Sequence, residues 1–416
     1  MNAAAGAIPA AADQQRGSPV ASLLVLAALL FNFALAFVNA SVAPISPAMV
    51  MAAEVIILGI AAFMVASRCE SFYFVALAVV AWLVFAMAVR SNFDPKCIRD
   101  AFIPIIFFFL GRYFATPRTG DRLVLAVLLV VAAGAIFEWG FLGAYLQYFD
   151  VLGYFRAKGS LDAGIGDGAP GLFVSGERFE GRTLLPFLGE HRVSSIFLEP
   201  LSIGNFGAIV FAWVLARDYA RPMALIGKIL LIAGILVLGD ARFGFYLCGL
   251  IVAVYLVAPL IRPTMVFVVP FLTIIGILIY VGQNPGVPWD NTIFGRFLLS
   301  GQLMSNLNLT QALGLQTSPV NFDDSGYSYV LSQFGLFGGG LLWAIYVYGA
   351  PAETPQAWRF KLFACMYLVL LLAISTSSMT IKTGALLWFL AGCIAQGERA
   401  APSSRSQVPL ARTSPA

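Results

Sequence analysis

Residues 181–207, GRTLLPFLGEHRVSSIFLEPLSIGNFG, join a charged segment directly to an apolar run that continues to residue 216. The charged part contains the only histidine of the chain, His191, together with Arg182, Glu190, Arg192 and Glu199. The apolar run that follows has about the length needed to cross a bilayer as a helix. The stretch therefore predicts a membrane-spanning helix that begins beside a cluster of ionisable groups.

The whole chain has the composition of a polytopic membrane protein. Of its 416 residues, 60% are hydrophobic and only 11% are charged, which excludes an ordinary soluble domain of this size. The net charge of +4 is spread over the segments between apolar runs, so no nucleic-acid partner is expected. With five scattered cysteines and one histidine, we expect no disulfide framework, no metal site and no cofactor.

Apolar runs along the chain predict an all-α fold with about 12 transmembrane helices. The runs fall at 20–38, 48–66, 72–89, 101–116, 123–146, 201–216, 223–239, 243–261, 265–281, 327–349, 362–377 and 379–395. The predicted organisation is a tail (1–19), five spans (20–146), a large loop (147–200), four spans (201–281), a second large loop (282–326), three spans (327–395) and a tail (396–416). A cleaved signal peptide is the alternative for the first run, because Ala34-Leu35-Ala36 resembles a cleavage site.

The distribution of arginine and lysine predicts that both termini are cytoplasmic. With the N-terminus inside, the cytoplasmic segments hold Arg16, Arg68, Arg112, Arg118, Arg122, Arg217, Arg221, Lys228, Arg262, Arg359, Lys361, Arg399, Arg405 and Arg412. The short loops on the other side hold Arg90, Lys96, Arg99, Arg242 and Lys382. Positive residues favour the cytoplasmic side of short loops, so both large loops are expected on the outer side. Short apolar stretches in these loops, Leu184–Leu188 and Phe297–Leu303, are predicted to lie in the membrane interface.

Four groups of ionisable residues lie next to predicted spans, where such residues mark either satisfied pairs or working sites. They are Arg192 with Glu199, Asp240 with Arg242, Arg296, and Asp323 with Asp324. Arg192 and Glu199 would share one helix face if the segment between them is helical, because seven residues make about two turns. For Arg192 with Glu199, the alternative is a local ion pair. For Asp240 with Arg242 and for Arg296, it is anchoring to lipid headgroups. For Asp323 with Asp324, it is an ordinary helix cap.

Taken together, Arg192, Arg242 and Arg296 suggest a site for a membrane-embedded pyrophosphate. They lie on the same predicted side, each with a carboxylate in its own segment. Guanidinium groups bind phosphate bidentately and remain charged in a partly dry site. A nearby carboxylate could accept a proton from an attacking hydroxyl group.

An ordered set of motifs resembles the bacterial O-antigen polymerase and O-antigen ligase superfamily. The motifs are RVSSIFLEP (192–200) followed by Gly204, GDARFG (239–244), Arg296 followed by ALGLQ (312–316), and DSGY (324–327) followed by QFGLFG (333–338). The resemblance covers about residues 175–395 and is strongest to exopolysaccharide polymerases. Each motif is loose, and the specificity lies in their order and spacing.

The resemblance implies a metal-independent, GT-C-like glycosyltransferase of the bacterial inner membrane with a periplasmic site. Its substrate would be an undecaprenyl-pyrophosphate-linked oligosaccharide. The implied pyrophosphate and glycan ligands are Arg192, Arg242 and Arg296 with Asp240 and Tyr327, and the candidate catalytic residues are Asp324, Glu199 and His191. The ligases carry a histidine where this chain has Asp323 or Asp324, and this departure favours a polymerase.

Two alternatives remain at the level of sequence. One is a ligase that transfers finished polymer to another acceptor, and the other is a flippase that moves lipid-linked glycan without chemistry. A flippase needs ionisable residues deep within several spans, whereas this chain has Glu54, Glu138 and Lys382 there and most of its charge in loops. Expected partners are the lipid bilayer, a chain-length-regulating co-polymerase and a separate flippase.

Overall fold

A computed structural model describes residues 18–161, 171–173, 176–177, 184–189, 191–219, 221–290, 292–318, 322 and 325–397. Within these ranges the regular structure is helical, which confirms the all-α prediction, and the one extended pairing is an isolated bridge between Glu177 and His191.

Most of the helices follow one another along the chain with short connections, whereas residues 158–199 separate α7 from α8. In order, α1 to α16 are Pro19–Ser41, Pro47–Ala66, Glu70–Arg90, Pro95–Phe114, Pro117–Gly140, Leu142–Phe149, Val151–Ala157, Pro200–Arg217, Pro222–Leu238, Arg242–Val257, Pro263–Gln283, Ile293–Ser305, Leu309–Ala312, Gly326–Ala344, Pro355–Leu372 and Ile381–Gly397. A π-helical turn, Ile345–Gly349, extends α14.

Many of these helices start at a proline. Proline lacks a backbone N–H, and this costs no hydrogen bond in the first turn, where the N–H groups have no acceptor within the helix. At four of these starts the preceding side chain accepts a backbone N–H of the first turn and so caps the helix. These caps are Ser46, Asp94, Thr116 and Thr354. The sequence thus sets helix boundaries locally, independent of packing.

Eight of the helices are long and apolar enough to cross a membrane. Helices α9 and α16 are apolar but shorter, and α4 carries Lys96, Arg99, Asp100 and Arg112. Helix α15 is the remaining helix at a predicted span. The apolar helices are those of a membrane-embedded protein, while the number of 12 spans remains a prediction.

Both segments predicted as large loops contain helices. The predicted span 123–146 does not continue straight, because the chain turns at Phe141 and resumes as α6 and α7. In the second segment, residues 297–303 lie within α12, whose glycine Gly301 packs against Ile277 and Val281 of α11. The short stretch 186–188 forms a 3-10 turn.

Helices α4 and α16 form the centre of the bundle. A Cβ atom on Gly111 of α4 would collide with the carbonyl oxygen of Phe389, and one on Gly392 of α16 would collide with that of Phe108. Glycine at both positions therefore allows backbone-to-backbone contact. Helix α11 lies at the outside of the bundle, since only 11% of its most apolar stretch is buried in the protein.

Ion pairs lie at both ends of the bundle. We call the end where α4, α8, α14 and α16 begin the site end. At the opposite end, Arg217 pairs with Asp121 at 3.0 Å and Lys228 pairs with Asp218 at 2.5 Å. The long apolar parts of the helices lie between these two charged layers, as expected for helices that cross a bilayer.

Candidate functional site

The segment that leads into α8 is fixed by a buried carboxylate. Glu138, near the end of α5, is completely buried and accepts backbone N–H bonds from Ser194 at 2.9 and 3.0 Å and from Ser195 at 2.5 Å. The Tyr145 hydroxyl donates to the carbonyl oxygen of Ser195 at 2.7 Å. Glu138, to which the sequence assigned no role, therefore holds the turn between Arg192 and Glu199.

The expectation that Arg192 and Glu199 share a helix face is wrong. A single 3-10 turn, Ser195–Phe197, lies between them, and Leu198 has a left-handed backbone at φ 63°. Helix α8 begins only at Pro200, because proline prefers the first helical position. Arg192 and Glu199 therefore belong to two different groups.

The first group joins Arg192 to the turn between α9 and α10. The Arg192 guanidinium donates to the carbonyl oxygens of Gly239 and Asp240, each at 3.3 Å. Asp240, 2% exposed with φ 45°, accepts the backbone N–H of Leu184 at 2.8 Å and lies 3.9 Å from the Arg242 guanidinium. The structure thus brings together three of the predicted site residues.

The second group is centred on Glu199. Its carboxylate forms an ion pair with Lys382 of α16 and accepts the Ser202 hydroxyl at 2.5 Å. Burial raises the pKa of Glu199, but the Lys382 ammonium, with hydrogen bonds from Lys382 and Ser202, lowers it to below its usual value. Glu199 is consequently ionised. It is therefore suited to accept hydrogen bonds and not to donate a proton.

A third group lies next to Glu199 and involves residues outside the predicted site. Arg99 of α4 pairs with Glu54 of α2 and with the neighbouring Asp100, both at 2.7 Å. The Tyr329 hydroxyl of α14 donates to Asp100 at 2.8 Å. These contacts connect three helices at the site end.

Lys158, just after α7, links the second and third groups electrostatically. Burial is the main reason that its pKa falls from 10.5 to about 8, and Lys382 and Arg99 lower it further. Glu54 and Glu199 act in the opposite direction. Lys158 is therefore a half-buried cation that faces carboxylates from α2 and from the start of α8.

Arg296 and Tyr327 have fixed partners elsewhere at the site end. Arg296 of α12 donates to the carbonyl oxygen of Ile374 at 3.3 Å, in the connection between α15 and α16. Ser377 of the same connection accepts a hydrogen bond from Asn205 of α8 at 3.3 Å. Tyr327 is buried, and its hydroxyl donates to the carbonyl oxygen of Val369 at 3.0 Å. The hydroxyl is therefore already hydrogen-bonded inside the bundle.

The remaining predicted residues have little or no described geometry. Asp323, Asp324, Arg182 and Glu190 lie outside the described residues. His191 pairs with Glu177 in the isolated bridge and is half-buried. The catalytic roles of Asp324 and His191 stay predictions from the sequence.

An apolar cavity of about 370 Å³ extends into the bundle from the third group. Its lining includes Asp100 and Arg112, which are about 18 Å apart along α4 at 1.5 Å per residue. Phe108, Phe334 and Tyr346 contribute aromatic rings to its wall. The cavity has the size and lining to accept a hydrocarbon chain beside a charged group.

Two pairs of glycines bring distant motifs into contact. A Cβ on Gly244 of the GDARFG motif would lie 2.8 Å from Cα of Gly204, so α8 and α10 cross at close range. A Cβ on Gly314 of ALGLQ would lie 2.7 Å from the nitrogen of Gly335 in QFGLFG. The segment around Gly204 therefore meets the GDARFG motif, and ALGLQ meets QFGLFG.

Sequence reasoning missed Lys158, Arg99 and Asp100 as members of the site. A signal for Glu54 and Lys382 was present, because ionisable residues next to apolar spans are expensive and require partners. Their partners come from other helices, so spacing along the chain could not identify them.

Comparison of the chain with family models, curated proteins and solved structures found no significant match. The resemblance to the polymerase and ligase superfamily therefore remains a prediction. Within the described part of the chain, no three histidine, cysteine, aspartate or glutamate residues are grouped as metal ligands.

Proposed function

We propose that the protein is a polysaccharide polymerase that joins undecaprenyl-pyrophosphate-linked repeat units at the outer face of a bacterial inner membrane. The observation that carries the proposal is the arrangement around the first turns of α8. Glu199 there pairs with Lys382, while Gly204 contacts the turn that holds Arg192, Asp240 and Arg242. Cations and an ionised carboxylate are thus placed on neighbouring elements.

In the proposed reaction, a sugar hydroxyl of one lipid-linked unit attacks the anomeric carbon of the chain attached to a second lipid pyrophosphate. The new glycosidic bond forms as the bond to the pyrophosphate breaks, with inversion, and the hydroxyl proton passes to a carboxylate base, for which Asp324 is the candidate. Arg192, Arg242 and Arg296 would stabilise the negative charge of the departing pyrophosphate. Because pyrophosphate is already a good leaving group, charge stabilisation matters more than a general acid.

Glu199 suits the role of orienting the attacking hydroxyl. Its lowered pKa keeps it ionised, so it accepts a hydrogen bond from the hydroxyl, although the same lowering makes it a weak base. The apolar cavity beside Asp100 supports a lipid-linked substrate, because a hydrocarbon chain could lie there with its polar end at the ionic groups.

Deletion of the gene tests the proposal. Single lipid-linked repeat units should accumulate and be accessible from the outer face, and expression of the wild-type protein should restore polymer. Long lipid-linked chains in the deletion strain would instead indicate a ligase. Single units confined to the cytoplasmic face would indicate a flippase, and unchanged polymer would overturn all three interpretations.

A further inference from the structure

The second and third groups contain hydrogen-bonding capacity that the described residues do not use. The Nζ atom of Lys158 lies 5.9 Å from the centre of the Phe155 ring. No described carboxylate oxygen is within ion-pair distance of this ammonium. An ammonium has three N–H donors. Lys382 uses one donor for Glu199, and Glu54 accepts from Arg99 through only one of its oxygens.

The six described residues that form the core of this cluster carry balanced charges. Its carboxylates are Glu54, Asp100 and Glu199, and its cations are Arg99, Lys158 and Lys382. Lys96 lies at the exposed edge, 5.3 Å from the ring of Tyr329. An anion that approached Lys158 would also approach Glu54 and Glu199, and the attraction would be offset by repulsion.

Donors and acceptors that no described residue uses therefore occur near one another in a cluster whose six named charges balance. The complementary ligand carries no net charge and has groups that both donate and accept hydrogen bonds. Neighbouring hydroxyl groups of a sugar ring have this property, because each hydroxyl has one O–H donor and two acceptor lone pairs. Hydrogen bonds to charged partners are also the stronger ones.

We propose that Lys158, Lys382, Glu199 and Glu54 form a binding subsite for a neutral sugar ring. The two ammonium groups donate to hydroxyl oxygens, and the two carboxylates accept from hydroxyl O–H groups. The inference rests on the proposed function in one respect: it assigns this subsite to the sugar that supplies the attacking hydroxyl. The subsite is separate from the Arg192–Asp240–Arg242 group.

Saturation-transfer NMR on the purified full-length protein in nanodiscs tests the subsite. The probes are the methyl glycosides of glucose, galactose and mannose, with inorganic phosphate as the anionic comparison. The wild-type protein should transfer saturation to at least one glycoside. Lys158→Met removes the donors but keeps the chain length, and it should weaken the binding by about tenfold or abolish it.

Lys228→Met is the matched control, because Lys228 lies in an ion pair at the opposite end of the bundle. It should bind the glycosides as the wild-type protein does. Lys158→Arg, which keeps charged donors, should retain part of the binding. A thermal unfolding curve from each sample shows that the variant is folded.

Three results would overturn the inference: no wild-type transfer to any of the glycosides, equal binding by Lys158→Met, or binding of phosphate by the wild-type protein without binding of glycosides. Failure of the proposed function is a different result. If the gene deletion leaves polymer unchanged while the wild-type protein binds glycosides through Lys158, the polymerase proposal fails and the sugar subsite remains.

Discussion

Glu199 and Lys382 form an ion pair although 183 residues separate them in the sequence. Glu199 lies immediately before α8 and Lys382 is the second residue of α16. Their side chains are only 19% and 10% exposed. The pair therefore joins two helix starts in a place where an unpaired charge is costly.

Replacement of Lys382 with methionine should destabilise the protein by about 3 kcal/mol, because Glu199 would stay buried without its partner. The double variant Lys382→Met, Glu199→Gln should recover most of this loss, since no unpaired charge remains. Unfolding in mixed micelles measures both changes. A single variant as stable as the wild-type protein would contradict the burial of the pair.

The stability of the wild-type protein should rise relative to Lys158→Met as the pH increases from about 8 to 10.5. The pKa of Lys158 is lowered from 10.5 to about 8 in the folded protein, so the unfolded chain binds more protons in this interval. Below pH 8 both states are protonated and the difference is constant. Lys158→Arg is the control, because arginine stays charged throughout, and it should show no such rise.

Glu138→Gln should cost about 1–3 kcal/mol of stability. The carboxylate accepts the N–H groups of Ser194 and Ser195, and a glutamine would present an NH₂ group to one of these donors, which leaves it unsatisfied. Glu70→Gln is the control, because Glu70 is exposed at the start of α3. Equal unfolding curves for the two variants would show that Glu138 does not hold the turn.

Gly335→Ala should destabilise the protein by about 1–3 kcal/mol. Gly335 interrupts α14 with φ 69°, and a Cβ atom there would collide with the carbonyl oxygen of Leu313. Gly340→Ala in the same helix meets no atom within 4 Å and should be neutral or slightly stabilising. The comparison of the two unfolding curves separates backbone strain from a general effect of alanine.

Arg192→Ala should abolish polymer while the folded protein remains in the membrane. The prediction follows from the proposed role of Arg192 in stabilising the pyrophosphate charge. Arg118→Ala, an exposed arginine at the start of α5, should leave polymer unchanged. Polymer yield and chain length, measured with membrane protein levels, give the result; wild-type polymer from Arg192→Ala cells would contradict it.

The sequence predicted the helical fold well because apolar length and N-terminal caps are local properties. The predicted spans 223–239 and 243–261 also left only a short connection at 240–242, and the structure has a turn there with a left-handed Asp240. It failed for Arg192 and Glu199, because the intervening Leu198 adopts a left-handed conformation that no residue preference of leucine indicates. The partners Lys382 and Arg99 were not predictable, since they depend on how α4, α8 and α16 pack.

The contact between Gly111 and Gly392 has a mechanical consequence for the ionic groups. Because backbone touches backbone there, sliding α4 along α16 would force main-chain atoms into one another. Arg99 near the start of α4 and Lys382 at the start of α16 are consequently held at a fixed separation by the backbone contact between their helices. Helix α11 has no comparable lock, because most of its apolar stretch is not buried within the described part of the protein.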